Sequence, residues 1–463
     1  MGGRSGPGGQ TDMNQRIGVI GGGLAGITAA LRCTDAGHDV ILFEGRSGLG
    51  GLTHSFRRGP LSVDNGQHVF LRCCTAYRGL LDRLGVSDLV TIQPRLDIGV
   101  RMPGQGPARL RRSGLPAPLH LAGSLLRYSA LQPTDRLRAV RAALALRAVK
   151  LDDDAIDELS FGEWLGRHGQ NRRTVAALWD LFTVATLNAP AAEASLALAT
   201  KVFQTGLLTD ARAGDIGWSR VPLQRLHGDA AISSLAAAGA TVRTRAKVES
   251  LEARAGDWVI RERHGEEHAV DQLVLAVPPG QAEKLLPPGS VHLAPGWSQR
   301  LGSSPIVNVH IVFDRVVLDE PFVAGVHTPV QWVFDRTEQS GLAEGQYIAI
   351  SLSAAHGSIE RSTAQLREWL LPALGALLPE ARRAQVVDFF ATRERAATIR
   401  PSPGTARSRP PAATGLPGLA LAGAWTATGW PATMESAVLS GSAAADAVTG
   451  RPVSEWQKGS VPV

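Results

Sequence analysis

The stretch RIGVIGGGLAG at residues 16–26 decides the fold of this chain. Residues 16–20 are a short apolar run rich in β-branched side chains, which predicts a buried strand. A glycine-rich turn follows and opens an alanine-rich helix, and a second apolar strand over residues 40–43 ends in Glu44. Strand, glycine turn, helix, strand and terminal acid together indicate a βαβ unit that binds a dinucleotide.

Each position in the turn has a physical role in such a unit. Gly21 permits the tight turn, Gly23 lets the backbone approach a pyrophosphate, and Gly26 lets the helix pack closely on the strand. Leu24 and Ala25 begin the helix, where free N–H groups attract phosphate. The turn is therefore the predicted pyrophosphate site.

The segment EGRSGLGGLT at residues 44–53 indicates which dinucleotide the unit binds. Glu44 is placed to accept hydrogen bonds from a ribose, and an acid at this position favours FAD or NAD over NADP. The acid, the nearby Arg46 and the following glycine pair resemble the extended flavin signature of amine oxidases, carotenoid desaturases and GDP-dissociation inhibitors. That resemblance makes FAD the expected cofactor and assigns its binding to Glu44, Gly45, Arg46, Gly50, Gly51, Leu52 and Thr53.

A second flavin signal lies near the C-terminus. Residues 419–422 predict a buried strand, and GAWTATGWPATME at residues 423–435 leads into a helix of small residues. In the superfamily such a helix points its N-terminus at the flavin, whose reduced form carries negative charge that a helix dipole stabilises. The cofactor residues expected on this basis are Gly423, Ala424, Thr433 and Met434, joined by Gln67, His68 and Val248 from segments between the two signals.

Three longer strings narrow the resemblance. They are DNGQHVF at 64–70 with CCTAY at 73–77, RERAAT at 393–398 with PSPG at 401–404, and TATGWPATME at 426–435. Over residues 17–448 the chain resembles the hydroxysqualene dehydroxylases, also called squalene-associated FAD-dependent desaturases. The resemblance implies reductive removal of the allylic hydroxyl of hydroxysqualene by reduced FAD, with an unidentified electron donor, in bacterial squalene or hopanoid biosynthesis.

One position departs from that family. The family pattern has aspartate where Ala424 stands, and that aspartate typically hydrogen-bonds the ribityl chain of FAD. An alanine makes no such bond, so weaker retention of FAD is expected.

The fold expected from these signals is α/β (α+β) with two discontinuous domains. A Rossmann-like FAD-binding domain is predicted from residues 15–95, 206–290 and 405–450. A substrate domain is predicted from residues 96–205 and 291–404, with helices over 115–205 and an antiparallel sheet over 305–390. Residues 1–14 and 451–463 are predicted to be tails, the first of them disordered.

The helical part contains a basic amphipathic segment that begins near residue 132. Its apolar residues on one face are Leu137, Val140, Leu144 and Ala148, and its cations are Arg136, Arg138, Arg141, Arg147 and Lys150. Two interpretations stay open: the helix packs on its own domain with a solvated basic side, or it lies on an anionic membrane. A helix over residues 362–378 is expected to cover the antiparallel sheet.

Removal of an allylic hydroxyl needs a proton for the departing water and an apolar cavity that protects the resulting cation. Trp332 and Trp430 are the aromatic candidates to line that cavity and stabilise the cation. His68 and Asp64 are the candidate catalytic residues, because their segment passes near the flavin in the superfamily and histidine titrates near neutral pH. The alternative is that this segment only holds the flavin.

Composition argues against several other classes. The 463 residues include three cysteines without metal-ligand spacing, so no metal site is expected and a reduced cytosolic setting fits. The formal charge of +6 is not gathered into a basic run, so nucleic acid is not an expected partner. Prolines and glycines interrupt the longest uncharged stretch, so we expect a cytoplasmic protein whose only membrane contact is transient and peripheral, at the inner face of the plasma membrane.

Three rival functions stay open. Amine oxidation is disfavoured because Thr433 stands where amine oxidases usually place an aromatic residue of the amine cage. Desaturation of a carotenoid-like polyene would use the same cofactor and a similar cavity. A prenyl-binding protein like the GDP-dissociation inhibitors would share the fold and contain no flavin.

Overall fold

The computed structural model describes residues 14–254 and 256–450. Apart from residue 14, the two predicted tails lie outside these residues. The strands are β1 (Arg16–Ile20), β2 (Asp39–Glu44), β3 (Ser55–Arg58), β4 (Leu61–Asp64), β5 (Val69–Leu71), β6 (Val90–Ile92), β7 (Asp97–Arg101), β8 (Ala108–Arg111), β9 (Ile216–Ser219), β10 (Thr241–Thr244), β11 (Val248–Arg254), β12 (Asp257–Glu262), β13 (Glu267–Val270), β14 (Gln272–Leu275), β15 (Ser304–Phe313), β16 (Phe322–Gly325), β17 (Trp332–Asp335), β18 (Gln346–Leu352), β19 (Val386–Thr398) and β20 (Leu419–Leu421).

The helices connect and cover these strands. They are α1 (Leu24–Asp35), α2 (Thr75–Arg83), α3 (Ala122–Arg127), α4 (Pro133–Arg147), α5 (Phe161–Arg167), α6 (Arg172–Thr174), α7 (Asp180–Leu187), α8 (Leu196–Phe203), α9 (Ala230–Ala237), α10 (Pro279–Leu285), α11 (Trp297–Arg300), α12 (Thr337–Ser340), α13 (Thr363–Leu377), α14 (Thr405–Ser408) and α15 (Met434–Thr449). In the described part of the chain, no helix combines the length and the apolar character that a membrane crossing requires.

The first layer is a parallel sheet with strand order β10-β2-β1-β14-β20. Its strands come from all three segments that the sequence assigns to the FAD-binding domain. Helices α1 and α15 pack side by side on it, and a Cβ added at Gly441 of α15 would lie 2.2 Å from the carbonyl oxygen of Ala25. The small residues of α15 therefore let the two cofactor-facing helices approach closely.

The second layer is a seven-stranded sheet with order β19-β15-β18-β17-β16-β7-β8. The antiparallel sheet expected over 305–390 is present, because β15 to β19 pair antiparallel with one another. The sequence did not predict that β7 and β8 extend this sheet or that β7 pairs with β16 in parallel. The chain reaches β16 from β7 through the whole helical block, and such a long connection permits a parallel pair. Helix α13 covers one face of the sheet as expected, with Leu366, Leu370 and Leu374 fully buried against it.

The helical block shares one core with strands of the large sheet and continues past the predicted boundary at residue 205. A helical turn over residues 204–208 follows α8 directly, and Leu207 and Leu208 are buried in the core of this block. The boundary therefore lies beyond Leu208, because the apolar contacts of the turn belong to the substrate domain.

Helix α4 is present, but its predicted apolar face does not pack on the protein. Leu137 and Leu144 are 54% and 50% exposed, whereas Ala139, Ala142 and Leu146 on the opposite side are buried. Alanines let α4 approach α8 and the turn over 204–208 more closely than leucines would. The helix therefore packs on its own domain, as one of the two interpretations expects, but through Ala139, Ala142 and Leu146 rather than through Leu137 and Leu144.

Candidate active site

One cavity of about 1370 Å³ runs from the glycine-rich turn to the large mixed sheet. Its volume exceeds the roughly 300–1,000 Å³ of a typical single-ligand pocket, so it has room for a cofactor and a second molecule. The predicted site residues that line it are Gly21, Gly23, Leu24, Ala25, Glu44, Gly45, Arg46, Gly50, Gly51, Leu52, Thr53, Gln67, His68, Val248, Trp332, Gly423, Ala424, Trp430, Thr433 and Met434. Gly26 and Asp64 are not among its walls.

The glycine turn forms a cradle without side chains. A Cβ at Gly51 would lie 2.8 Å from the Cα of Gly23, so the two glycine loops face each other at close range. Helix α1 begins with Gly23 as its N-cap, no side chain caps it, and no acid occupies its first turn. The first N–H groups of α1 are therefore available to a pyrophosphate, which is the group that FAD would place there.

Gly26 lies behind this cradle. A Cβ there would come within 1.8 Å of the carbonyl oxygen of Gly21, which explains why the residue does not line the cavity. Its lack of a side chain permits the close helix–strand contact that the sequence predicts.

Glu44 lies at the end of β2 and braces the cradle. Its carboxylate accepts hydrogen bonds from the backbone N–H groups of Gly22 at 2.8 Å and of Arg46 at 2.7 Å. The Arg46 guanidinium reaches the carbonyl oxygen of Gly51 at 3.3 Å. The acid and the arginine thus tie both loops together while lining the same cavity.

The N-terminus of α15 faces the cavity from the other side. Thr433 is its N-cap and accepts the N–H of Ser436 at 3.4 Å, so the N–H of Met434 is not used by the cap. The buried Glu435 accepts the N–H groups of Ala76 and Tyr77 at 3.1 and 2.8 Å, and this contact joins α15 to α2. Burial raises the pKa of Glu435.

Arg409 holds the loop that precedes α15. Its guanidinium donates to the carbonyl oxygens of Trp430 at 2.6 Å and Ala424 at 2.8 Å, and to that of Trp425 at 3.4 Å. Burial lowers its pKa to about 10, so it remains charged at neutral pH. A fixed cation under three carbonyls keeps the loop in one conformation beside the cavity.

The far side of the cavity is apolar and aromatic. Phe322, Trp332 and Phe334 line it with ring centroids about 6 Å apart, and Leu181, Phe182, Val202 and Leu207 come from the helical block. Trp430 differs because the ammonium of Lys201 lies 5.0 Å from its ring centroid. A second cation beside Trp430 would be repelled, so the trio around Trp332 is the better place for positive charge.

The flavin containing amine oxidoreductase model matches residues 24–449 of this chain. The chain belongs to that family. It is therefore an FAD-dependent oxidoreductase, and the cradle and the helix termini described above fit that cofactor. Membership in a flavin-containing family argues against the flavin-free prenyl-binding alternative.

Individual relatives point to isoprenoid chemistry. The hydroxysqualene dehydroxylase of Sinorhizobium fredii (strain NBRC 101917 / NGR234) is 28% identical over 449 residues, which cover 94% of this chain and 98% of that protein. The zeta-carotene desaturase of Zea mays is 31% identical over 176 residues, 36% of this chain and 31% of that protein. A double mutant of putrescine oxidase superposes with a TM-score of 0.72 at 18% identity, over 94% of this chain and 99% of that one, which supports the fold.

Asp64, a predicted catalytic residue, does not line the cavity. Its carboxylate is buried away from the cavity, forms an ion pair with Arg336, and accepts bonds from Ser55 at 2.6 Å and the N–H of Leu223 at 3.0 Å. The catalytic role expected for Asp64 is replaced by a structural one, joining β4 to the loop after β17.

His68 lines the cavity but does not carry the proton that the prediction requires. Burial lowers its pKa, so the ring is neutral at physiological pH. Its Nδ1 lies 3.1 Å from the carbonyl oxygen of Gly66, which only accepts, so Nδ1 carries the single ring proton. The Nε2 of His68 is then an acceptor in this tautomer, which disfavours its predicted role as the acid.

Sequence reasoning missed the polar residues on the cavity face of β15 and β19, which lie near the predicted Gln67. Asn308 lines the cavity, its Oδ1 is buried without a partner, and its Nδ2 reaches the carbonyl oxygen of Asn65 at 3.4 Å. The Oε1 of Gln67 is likewise buried without a partner. Two buried acceptors without partners mark a place where a ligand or water supplies donors.

Glu394 is the missed carboxyl among these polar residues. It lies opposite Ile306 in the pairing of β15 with β19, and both residues line the cavity. No ion pair engages it among the described residues, and its Oε1 only accepts the N–H of Ala396 at 3.4 Å. The string that contains Glu394 was noted for its resemblance alone, since only the strand register shows that this side chain faces the cavity.

Proposed function

We propose that this chain catalyses the reductive removal of an allylic hydroxyl from hydroxysqualene, yielding squalene and water. The observation that carries the proposal is the single cavity that joins an FAD cradle to an apolar, aromatic chamber with one free carboxyl in its sheet wall. Similarity over nearly the full length to a protein named hydroxysqualene dehydroxylase supports the substrate class.

The reaction balances with one proton and one hydride. The substrate oxygen takes a proton and leaves as water, and a hydride then fills the allylic carbon. Reduced FAD, when bound, supplies that hydride, and a separate electron donor restores its reduced state. This chain contributes the chamber, the proton and the stabilisation of charge on the substrate.

The apolar chamber has two tasks. The helical-block residues that line it exclude water, which otherwise recaptures an allylic cation. The faces of Phe322, Trp332 and Phe334 offer negative quadrupole potential to the same cation. Trp430, already occupied by Lys201, is left to shape the cavity near the cofactor.

Glu394 is the proposed proton donor. The other two carboxyls that line the cavity, Glu44 and Glu435, already accept backbone N–H groups on the cofactor side. An apolar substrate that covers a carboxyl removes water from it and favours its neutral form. Asn308 and Gln67 lie in the same wall region and would orient the hydroxyl by accepting its hydrogen.

The Glu394→Gln variant tests this role. We expect about a 100-fold loss in kcat with little change in substrate affinity, because glutamine keeps the shape but has no acidic proton. The matched control is Glu360→Gln, since Glu360 is exposed and paired with Arg395 outside the cavity. Wild-type turnover in Glu394→Gln, together with a large loss in His68→Ala, would assign the proton to His68 instead.

Product analysis tests the function as a whole. The protein is incubated anaerobically in the reduced state with hydroxysqualene, and in the oxidised state with a carotenoid-precursor polyene and with a primary amine. We expect squalene from the first incubation and no turnover in the other two. Dehydrogenated polyene without squalene would make the protein a desaturase, and an aldehyde from the amine would make it an amine oxidase.

A further inference from the structure

The outward face of α4 is built like a surface that enters a lipid headgroup layer. Leu137, Arg141, Leu144 and Ala148 are exposed and recur at intervals of three or four residues, so they form one stripe. Leu126 at the end of α3 is 65% exposed, and its carbonyl oxygen accepts a hydrogen bond from Arg136 of α4. We call the exposed side chains of Leu126, Leu137, Arg141 and Leu144 the leucine face.

Among residues 14–254 and 256–450, no side chain packs over the leucine face. The buried residues of α4 lie on the opposite side, where the helix meets α8 and the turn over 204–208. Exposed leucines on the outer side of a packed helix bury no apolar surface when the chain folds. Their apolar surface is therefore available to bind another molecule or a membrane.

Cations without ion-pair partners lie within and next to the leucine face along the chain. Arg127, Arg141, Arg147 and Lys150 have no ion-pair partner among the described residues, and Asp135, the acid inside α4, is buried and bound by Arg138 and Asn171. Long cationic side chains can extend towards phosphate groups while the leucines between them enter the acyl region. The helix itself matches an anionic lipid surface in both charge and polarity, and the exposed acids at residues 152–154 lie in the turn after it.

A second copy of the chain is a poorer occupant. A symmetric contact would place the same unpaired arginines against each other, and like charges at an interface disfavour association. An acidic protein would satisfy the charges but would not require a stripe of exposed leucines between them.

The leucine face is one helical layer away from the cavity. The amide of Gln204 donates to the carbonyl oxygens of Leu146 at 2.9 Å and Val149 at 2.7 Å, which ties the end of α4 to the turn over 204–208. Thr205, Gly206 and Leu207 of that same turn line the cavity. A lipid surface on α4 would therefore lie next to the wall of the apolar chamber.

We propose that the leucine face docks this enzyme on an anionic phospholipid bilayer, from which it takes its isoprenoid substrate. The uptake of an isoprenoid substrate from the bilayer rests on the proposed function, whereas docking on the bilayer does not. Docking is measured on vesicles without substrate, and turnover is measured with detergent-dispersed substrate, so failure of one leaves the other testable.

The test is flotation of the FAD-loaded protein with vesicles of phosphatidylcholine alone or of phosphatidylcholine mixed with phosphatidylglycerol. We expect binding to the mixed vesicles that falls as salt is added, and little binding to the neutral ones. The double variant L137S/L144S should bind about tenfold more weakly, and R141E/R147E should lose the preference for anionic lipid. The matched control is V316S/V387S, two exposed valines outside this face, which should bind like the wild type.

Folding of each variant is checked by flavin absorbance, because the replaced side chains are exposed. Absence of wild-type binding to the mixed vesicles would overturn the proposal, as would L137S/L144S binding as strongly as V316S/V387S. Concentration-dependent dimerisation that L137S/L144S abolishes would also overturn it and assign the face to a second copy.

Discussion

At the residue scale, the cofactor side was predictable because its chemistry is carried by the backbone. Glycines that permit close approach and a helix N-terminus without a cap are local features, so Gly21 and Gly23 reveal their roles in the sequence itself. The structural contacts of Asp64 could not be predicted from neighbouring residues, because its ion-pair partner Arg336 is 272 positions away along the chain. Glu394 escaped notice because its orientation depends on a strand register.

Residue 424 carries a prediction about cofactor retention. Ala424 lines the cavity and its carbonyl oxygen is already fixed by Arg409, so its methyl group adds no polar contact to the cofactor. We expect Ala424→Asp to raise the fraction of purified protein that contains FAD, because the family's aspartate would again be available to a ribityl hydroxyl. The FAD-to-protein absorbance ratio after purification measures this.

The matched control is Ala427→Asp, which adds the same charge at an exposed position of the same loop outside the cavity. Equal FAD content in Ala424→Asp and the wild type would contradict the prediction. A rise in both variants would attribute the effect to charge in the loop rather than to a cofactor contact.

At the scale of the element, the existence of helices and strands was easier to predict than their orientation. The capping pair Ser362 and Gln365 and the leucines of α13 specify both that helix and its buried side. For α4 the periodicity placed Leu137 and Leu144 on one face correctly, yet that face points outward. The reason is that alanines on the other side pack more closely on α8, and no local pattern shows which of two candidate faces meets a neighbour.

The set of strands that form the large sheet was also hard to predict from the sequence. The segments of β15, β17 and β18 alternate visibly, whereas β7 and β8 join the same sheet from a part of the chain 200 residues earlier. Pairing between β7 and β16 is fixed by tertiary packing, which sequence periodicity does not encode.

At the scale of the whole molecule, buried ion pairs connect the two domains around the cavity. Asp215 is fully buried and forms two ion pairs. The Nε of Arg72, on the cofactor side, lies 3.0 Å from its carboxylate, and the Nε of Arg112, on the substrate side, lies 2.6 Å from it. Together with the Asp64–Arg336 pair, this contact fixes the cradle and the chamber relative to each other. The walls of the site therefore keep their positions although the chain crosses between domains several times.

Stability of the whole molecule should fall in mild acid. Burial lowers the pKa of His227 and of His310 to about 3. Unfolded histidine titrates near 6.5, so between these values the unfolded chain binds more protons and the folded state loses stability as pH falls. The two histidines together should lower the free energy of unfolding by about 3 kcal/mol for each pH unit of acidification between about pH 6 and 4.

Denaturant unfolding at a series of pH values measures this slope. In His310→Gln the slope should fall by about half, whereas His264→Gln, at an exposed position, should leave it unchanged. A slope that is identical in His310→Gln and the wild type would contradict the assignment.

The central claim is that electrons leave the bound flavin to remove a hydroxyl from the substrate. The most direct measurement is a single anaerobic turnover, in which the reduced holoenzyme is mixed with hydroxysqualene while flavin absorbance and squalene are both quantified. Oxidised flavin should return, and one squalene should form for each flavin oxidised. Flavin that stays reduced in the presence of hydroxysqualene, or that becomes oxidised without squalene, would contradict it.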